Sequence, residues 1–216
     1  MYTCAYCKIH ACCMEDRNGG NYPKNCPMQD AAYMEEIDKR YSDPEVKDFY
    51  IATKTPGPAG SSRTFTPRLR GVIDLCKQMK YKKIGLAFCY GFTKEAEMYA
   101  KILKNFGFDV VSVCCLNGGF NIADRGVALP EGCEFDAACN PLGQAELMNR
   151  ENVDFNLVMG LCAGHDSLFM KYAKAMSSVI VVKDPATGHC PVAALYLFDP
   201  YYKRVFTPTE EDGKKE

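Results

Sequence analysis

Four short apolar runs organise the second part of the chain. Such runs are typical of strands covered on both faces of a sheet, and they span Lys83–Phe88, Asp109–Val113, Phe155–Leu161 and Ser178–Val182. Between them, apolar residues recur at helical spacing. This alternation predicts an α/β fold, an open, mostly parallel Rossmann-like sheet of about four to five strands with flanking helices.

The first part of the chain has a different pattern. Residues 1–28 show neither helical nor strand spacing, so apolar burial alone cannot order them. Helices are predicted over Met28–Arg40 and from Pro44 to Ile51, and the turn-rich stretch Thr55–Ser62 marks a boundary. We therefore predict a small cysteine-rich metal-binding knuckle with helices over 1–55, an α/β domain over 63–206 and a disordered tail over 207–216.

Charge and composition exclude some classes of protein. The 216 residues carry 26 basic and 27 acidic side chains without a basic stretch, which argues against nucleic-acid binding. No apolar run reaches the ~18–20 residues of a membrane helix, and the first residues do not resemble a signal peptide. We therefore expect a cytoplasmic protein with no membrane partner. The sequence carries no signal for the oligomeric state.

The number of cysteines is the main chemical signal. Thirteen cysteines in a chain of this class favour metal, cluster or catalytic chemistry over disulfides. The first group begins with Cys4-x-x-Cys7, which presents two thiolates across one turn, as in half of a zinc site. Cys12 or Cys13 can supply a third ligand and Cys26 a fourth, which predicts a structural zinc site, with iron as the alternative metal. A redox Cys-x-x-Cys pair is the competing interpretation.

A second group of cysteines follows the predicted strands. Cys89, Cys114 and Cys162 each stand where a strand ends, and the carboxyl ends of parallel strands share one edge of the sheet. Cys139 precedes a predicted helix, whose dipole favours the thiolate form. Alternation along the strand predicts that Cys115 points away from Cys114. These thiols predict a second metal or iron–sulfur centre, and the competing interpretation is that they are small buried apolar residues.

Other polar residues come to the same predicted edge. His165 opens a helix three residues after Cys162, where it can act as a ligand, an acid–base group or a cap. Lys183 leaves the last strand, and its ammonium can offset the charge of thiolates or of a substrate. His189 lies in the turn that follows and can join the site or be an ordinary turn residue.

Several motifs occur together along nearly the whole chain. They are Cys4-x2-Cys7-x4-Cys12 with Cys26-Pro27, Ile84–Cys89, Val113–Cys115, Cys139–Leu147, Gly160–Asp166 and Lys183–His189. In combination they resemble a bacterial family of uncharacterised metal-binding proteins, a domain of unknown function found largely in anaerobes.

The resemblance implies metal binding through cysteines and names no substrate or reaction. It implies one set of ligands at Cys4, Cys7, Cys12 and Cys26, and a second centre at Cys89, Cys114, Cys139 and Cys162. A Cys-Cys-x-Cys stretch is common in that family near the second strand. Here Asn117 stands in place of the last cysteine, so the ligand number of the second centre stays open.

Three functions follow from these observations. The first is a metalloprotein with a structural zinc site and a cysteine-ligated centre that acts on a small molecule, with His165 and Lys183 as its catalytic groups. The second is an enzyme in which Cys162 or Cys139 is the nucleophile and His165 the base. The third is a non-catalytic module for metal delivery or protein interaction. The sequence alone does not decide whether the protein is an enzyme.

Overall fold

The structure, a computed structural model, describes residues 1–54 and 66–209. It divides into two compact units, Met1–Thr55 and Pro56–Glu216. The turn-rich stretch that the sequence places over Thr55–Ser62 lies outside the described residues. So does most of the tail, for which disorder stays a prediction.

The first unit is built from short turns and two helices. Single 3₁₀ turns occupy Cys4–Tyr6, Ala11–Cys13, Arg17–Gly20 and Pro27–Gln29. Helices α1 (Ala31–Tyr41) and α2 (Pro44–Lys54) follow. Asp30 caps α1, because its Oδ1 accepts a hydrogen bond of 2.9 Å from the Tyr33 N–H. Asp43 does the same for α2 through the Glu45 N–H, also at 2.9 Å.

The second unit is organised around a four-stranded sheet. Its strands are β1 (Lys83–Phe88), β2 (Asp109–Cys114), β3 (Phe155–Met159) and β4 (Ser177–Val181). Their order is β2-β1-β3-β4 and every pairing is parallel. This arrangement confirms the predicted open, parallel, Rossmann-like α/β fold.

Helices flank the sheet in the order that the alternation predicts. Helix α3 (Arg68–Gln78) precedes β1, α4 (Thr93–Asn105) joins β1 to β2, α5 (Pro141–Arg150) joins β2 to β3, and α6 (His165–Tyr172) joins β3 to β4. Helices α3 and α4 meet through the Tyr99 hydroxyl, which donates to the Leu69 carbonyl at 2.7 Å. Helix α5 packs against α6. Helix α4, which connects β1 to β2, therefore belongs to the α3–α4 pair. Helix α6, which connects β3 to β4, belongs to the α5–α6 pair.

The last described segment consists of short helical turns. Helix α7 (Val192–Tyr196) is followed by a π-helical turn at Phe198–Tyr202 and by α8 (Lys203–Phe206). The sequence allows a helix or a strand over Pro191–Tyr196, and the structure has the helix. In the part of the chain that is described, no helix combines the length and apolar character needed to cross a bilayer.

The core lies on both faces of the two central strands. Residues of β1 and β3 are almost completely buried, including Ile84, Leu86, Leu157 and Val158. Polar side chains also lie in the core, and one of them is Asn156, whose Nδ2 donates to the Ala175 carbonyl at 3.1 Å. Its Oδ1 has no hydrogen-bond partner within the described residues.

Gly85 of β1 is the residue that makes room for this amide. A Cβ at this position would lie 2.5 Å from Oδ1 of Asn156 and 2.8 Å from Sδ of Met148. Both neighbours are fully buried. The strand therefore needs a residue without a side chain here, because neither neighbour has space to move.

We predict that Gly85→Ala destabilises the second unit by about 1–3 kcal/mol, because it overpacks a closed part of the core. The matched control is Gly71→Ala in α3, where nothing lies within 4 Å of the added Cβ. That change should leave the free energy of unfolding unchanged or raise it by about 0.5–1 kcal/mol. Urea unfolding under reducing conditions, followed by circular dichroism, measures both. Equal effects of the two substitutions would contradict the close contact at Gly85.

Candidate thiol site at the carboxyl edge of the sheet

The two central strands deliver cysteines to the same edge of the sheet. The Cys89 N–H, immediately after β1, donates to the Met159 carbonyl at the end of β3 at 3.0 Å. The Cys115 N–H, immediately after β2, donates to the Phe88 carbonyl at 2.8 Å. The backbone ladder thus extends past the strands and sets the position of both residues. Cys162 follows β3 after a two-residue turn.

The side chains of four cysteines and one lysine meet at this edge, and we call this group the rim thiol cluster. The Lys183 ammonium donates to Sγ of Cys89 at 3.2 Å and to Sγ of Cys162 at 3.5 Å. Sγ of Cys139 lies 3.8 Å from Sγ of Cys115. The Cys89 thiol also interacts with Cys115, so the two pairs are connected. Residues far apart in the sequence therefore form one group.

Cys115 takes the position in this group that the sequence assigns to Cys114. The Cys115 side chain is buried, and its Sγ accepts a hydrogen bond of 3.3 Å from the Tyr90 N–H. Cys114 is half-buried as the last residue of β2, and its sulfur makes no hydrogen bond within the described residues. Successive side chains point to opposite sides, as the sequence predicts. The Cys115 side chain is the one that faces Cys139, because β2 continues to Cys114 and the chain turns only after that residue.

The connection between β2 and α5 carries Cys139 to the cluster. Its irregular part is held by Asn121, whose amide donates to the Glu134 carbonyl at 3.0 Å and whose Oδ1 accepts the Asp136 N–H at 3.3 Å. At its end the Asn140 N–H donates to the Cys115 carbonyl at 2.7 Å. The residue before Asn140 is Cys139, so this hydrogen bond places the two sulfurs beside each other.

Two asparagines reinforce the same junction. The Asn117 amide donates to the carbonyls of Cys114 and Asn140, both at 3.0 Å. The Asn140 amide donates in return to Asn117, and Asn140 Oδ1 caps α5 by accepting the Gly143 N–H at 3.0 Å. The resemblance leads one to expect a cysteine at position 117. The Asn117 amide instead holds the chain through these hydrogen bonds.

Electrostatics favour a negative charge on Cys89. Burial opposes ionisation of its thiol, but the Gly91 N–H, the Lys183 ammonium and the Cys115 thiol outweigh that effect. The pKa of Cys89 is therefore lower than that of an ordinary thiol. The same contact, together with the charge of Cys162, raises the pKa of Lys183 above its ordinary value. The lowered pKa of Cys89 and the raised pKa of Lys183 both favour the charged forms of this pair.

The other pair of thiols has the opposite tendency. Burial strongly raises the pKa of Cys115, and the neighbouring Cys139 and Cys89 add to the effect. Burial also raises the pKa of Cys139, and the charges of Cys162 and Cys89 oppose its ionisation further. The expectation that the helix dipole favours the Cys139 thiolate is therefore not met, because desolvation dominates at this position.

The two histidines of this unit occupy different places. His165 is the first residue of α6, and its backbone N–H donates to the Cys162 carbonyl at 2.9 Å. Its imidazole forms no hydrogen bond with any described residue. His189 lies in the turn after β4, where its Nδ1 accepts the Asp184 N–H at 3.1 Å. Its ring packs 4.7 Å from the ring of Phe92, measured between centroids.

A buried glutamine supports the cluster and was not foreseen from the sequence. Gln144 of α5 is completely buried, and its Nε2 donates to the carbonyls of Phe88 at 3.1 Å and Val113 at 2.7 Å. Phe88 directly precedes Cys89, and Val113 lies two residues before Cys115. A polar residue on the otherwise apolar inner face of α5 is the signal that points to such a role.

The front cysteine group, Cys4, Cys7, Cys12 and Cys26, lies within the first unit. Cys4, Cys7 and Cys26 line one cavity, together with Thr3, Lys8, Asn25 and neighbouring side chains. Cys12 is exposed and is not part of that lining. The Cys13 thiol donates to the His10 carbonyl at 2.9 Å. The structure therefore brings three of the four expected ligands to one cavity.

Neither group has the complete arrangement of a metal site. Across residues 1–54 and 66–209, no three or more His, Cys, Asp or Glu side chains stand close enough together to hold a metal ion. In the rim thiol cluster the sulfurs contact in pairs, and the Lys183 ammonium occupies the space between Cys89 and Cys162.

Comparison with known proteins places the chain in a family. The family model described as "Protein of unknown function (DUF1847)" matches residues 26–180, a span that includes all four cysteines of the rim thiol cluster. The uncharacterized protein MJ0455 of Methanocaldococcus jannaschii is 46% identical over 133 residues. That match covers 60% of this chain and 66% of the relative, just under two thirds of its length. No solved structure matches the chain.

These matches confirm part of the resemblance inferred from the motifs. The family is one of unknown function, as the motifs imply, whereas its description and the relative's name mention no metal. The relative comes from an archaeon, so the expected restriction to bacteria is not supported. The family model spans most of the chain, and this chain therefore belongs to the DUF1847 family of proteins of unknown function.

Proposed function

We propose that the rim thiol cluster is a metal centre, in which Cys89, Cys115, Cys139 and Cys162 hold a metal ion or an iron–sulfur cluster. The observation that carries this proposal is the meeting of four thiols from four separate segments at one edge of the sheet, two of them in contact with the Lys183 ammonium and two in contact with each other. Isolated buried cysteines act as small apolar residues, but they have no reason to gather at one edge. Soft thiolate ligands favour zinc and iron–sulfur clusters.

The spacing of the sulfurs supports this proposal. Four sulfurs that surround one zinc ion at about 2.3 Å lie about 3.8 Å apart in a tetrahedron. The Cys115 and Cys139 sulfurs are already 3.8 Å apart. Without a metal, the Lys183 ammonium supplies the positive charge that the other two sulfurs need. A bound ion in its place would supply Lewis acidity or electron transfer, with Lys183 then available to a small-molecule substrate.

The first prediction concerns metal content. In protein prepared without oxygen, the double variant Cys115→Ser/Cys139→Ser should lose the metal of the rim thiol cluster, because it removes the sulfur pair in contact. The matched control is Cys114→Ser/Cys133→Ser. Among the described residues the Cys114 thiol makes no hydrogen bond, and the Cys133 thiol donates only to the Phe135 carbonyl. Elemental analysis measures both, and an iron–sulfur centre would also absorb near ~400 nm.

Two results would overturn the metal centre. One is unmodified protein whose metal content is fully accounted for by the front cysteine group. The other is equal metal loss in the two double variants, because the contacts distinguish Cys115 and Cys139 from the control pair.

The proposal includes a structural zinc ion in the front cysteine group. Among the described residues 1–30, Ala11 is the one that is fully buried, so this segment has almost no apolar core of its own. A metal would supply the missing stability, as in small zinc domains. Cys4, Cys7 and Cys26 already line one cavity. Of the two neighbouring candidates for the remaining ligand, we choose Cys12, because the Cys13 thiol donates a hydrogen bond to the His10 carbonyl.

This assignment of the third ligand gives a second prediction. Cys12→Ser should lose about one zinc per chain and expose residues 1–30 to trypsin, whereas Cys13→Ser should keep both zinc and protection. Metal analysis and timed proteolysis measure the outcome. Zinc loss in Cys13→Ser but not in Cys12→Ser would make Cys13 the ligand. An unchanged zinc content in Cys4→Ser and Cys7→Ser would show that this group does not bind zinc.

A second candidate function rests on the contact of 3.2 Å between Lys183 and Cys89. In the metal-free protein, the ammonium beside a buried sulfur favours ionisation of Cys89, and thiolates are the nucleophilic form of cysteine. This differs from the sequence-based hypothesis of Cys162 or Cys139 activated by His165. The raised pKa of Cys139 disfavours it as a nucleophile, and the His165 imidazole makes no hydrogen bond with either thiol.

The third prediction tests this pair. Lys183 stabilises the charged form of Cys89, so Lys183→Met should raise the pKa of Cys89 and move the midpoint of its alkylation to higher pH. Lys174→Met, which changes an exposed lysine, is the control and should leave the midpoint in place. Iodoacetamide labelling of metal-free protein across pH, read by peptide mass spectrometry, measures this. An unchanged midpoint in Lys183→Met would show that the ammonium does not activate Cys89.

A further inference from the structure

The turn after β4 holds an imidazole in one defined state beside the rim thiol cluster. The Asp184 N–H donates to Nδ1 of His189 at 3.1 Å, and the His189 N–H donates back to the Asp184 carbonyl at 2.7 Å. With Nδ1 acting as an acceptor, the proton of the neutral ring is on Nε2. The exposed edge of the ring is therefore a hydrogen-bond donor.

The backbone of His189 is strained in a way that supports a defined role. Its φ is +68°, in the left-handed region that residues with a side chain rarely adopt. Such strain is unfavourable and persists where the surrounding structure requires it. Here the reciprocal hydrogen bonds with Asp184 require it. The strained residue is the one whose ring packs against Phe92.

The position of the ring is set by Phe92. The two ring centroids are 4.7 Å apart, and Phe92 is itself buried. The Phe92 N–H donates to the Cys89 carbonyl at 2.8 Å, so Phe92 stands one turn after Cys89. Gly160 leaves the space that this ring fills, because a Cβ there would overlap it. His189 therefore lies at the same edge as Cys89 and Lys183.

The donors at this edge are not all used. An ammonium has three N–H donors, and Lys183 directs two of them to Cys89 and Cys162. Within the described residues nothing accepts from Nε2 of His189. One N–H of the Lys183 ammonium, which contacts Cys89, and the Nε2–H of His189 thus remain unused in the described part of the chain. Lys183 is half-buried and His189 is exposed. Paired donors of this kind bind the oxygens of an anion.

We propose that the Lys183 ammonium and the Nε2–H of His189 form a binding site for the oxyanion of a small molecule, a carboxylate or a phosphate, beside Cys89. The site would hold the anionic end of a ligand and present the rest of it to the sulfurs. It goes beyond the metal centre proposed above, since it is formed by residues that are not metal ligands and exists in the metal-free protein.

Nuclear magnetic resonance of the histidine side chains tests this site, because the chain has three histidines, so their signals can be assigned. In reduced, metal-free protein, acetate or phosphate should shift the ring signals of His189 in a saturable way. Loss of one charge-assisted hydrogen bond in Lys183→Met should weaken that binding about tenfold. Lys174→Met should bind like the unmodified protein. Comparison of the two anions identifies the preferred oxyanion.

Variants of His189 give an independent readout. Bound anion should protect Cys89 from iodoacetamide, and His189→Phe should lose about tenfold of that protection while it keeps a ring against Phe92. His189→Gln should retain more, because its amide N–H can replace the lost donor. No response of His189 to either anion, or equal binding in Lys183→Met, would overturn the site. Metal analysis of the same variants separates this result from failure of the metal centre.

Discussion

The reversal of strand order at β1 is the constraint on which the site depends. From β1 the chain proceeds to β2 on one side, then crosses back to β3 on the other. The connections that leave β1 and β3 therefore diverge to opposite faces, and a crevice opens between their carboxyl ends. Cys89 and Cys162 follow these two strands. No other pair of neighbouring strands in the sheet offers this opening.

Within that crevice, one ammonium organises several sulfur atoms. Burial alone would keep every thiol protonated, as it does for Cys115 and Cys139. The Gly91 N–H and the Lys183 ammonium, which lies 3.2 Å from the sulfur, change this balance at Cys89 and lower its pKa. Four chemically identical side chains thus acquire different properties from their positions. That difference is what a ligand, whether a metal or a small anion, would encounter.

The fold and part of the site could be predicted from the sequence, for physical reasons. Apolar runs such as Lys83–Phe88 define buried strands locally, and a parallel sheet then places Cys89 and Cys162 at one edge. The choice between Cys114 and Cys115 was beyond such reasoning, because it depends on where the chain turns after β2. The raised pKa of Cys139 depends on its burial at the end of the connection that Asn121 holds in place. That connection has no periodic spacing of apolar residues, so its path cannot be predicted from the sequence.

The Gln144 amide has a consequence for how much the site must rearrange. By joining the carbonyls of Phe88 and Val113 to α5, it locks the ends of β1 and β2 to each other and to the helix that Cys139 precedes. The sulfurs of Cys89, Cys115 and Cys139 are thereby carried on a single rigid frame. The site is therefore preorganised, because little conformational entropy remains to be lost when a ligand binds. The affinity then depends mainly on the chemistry of the ligand.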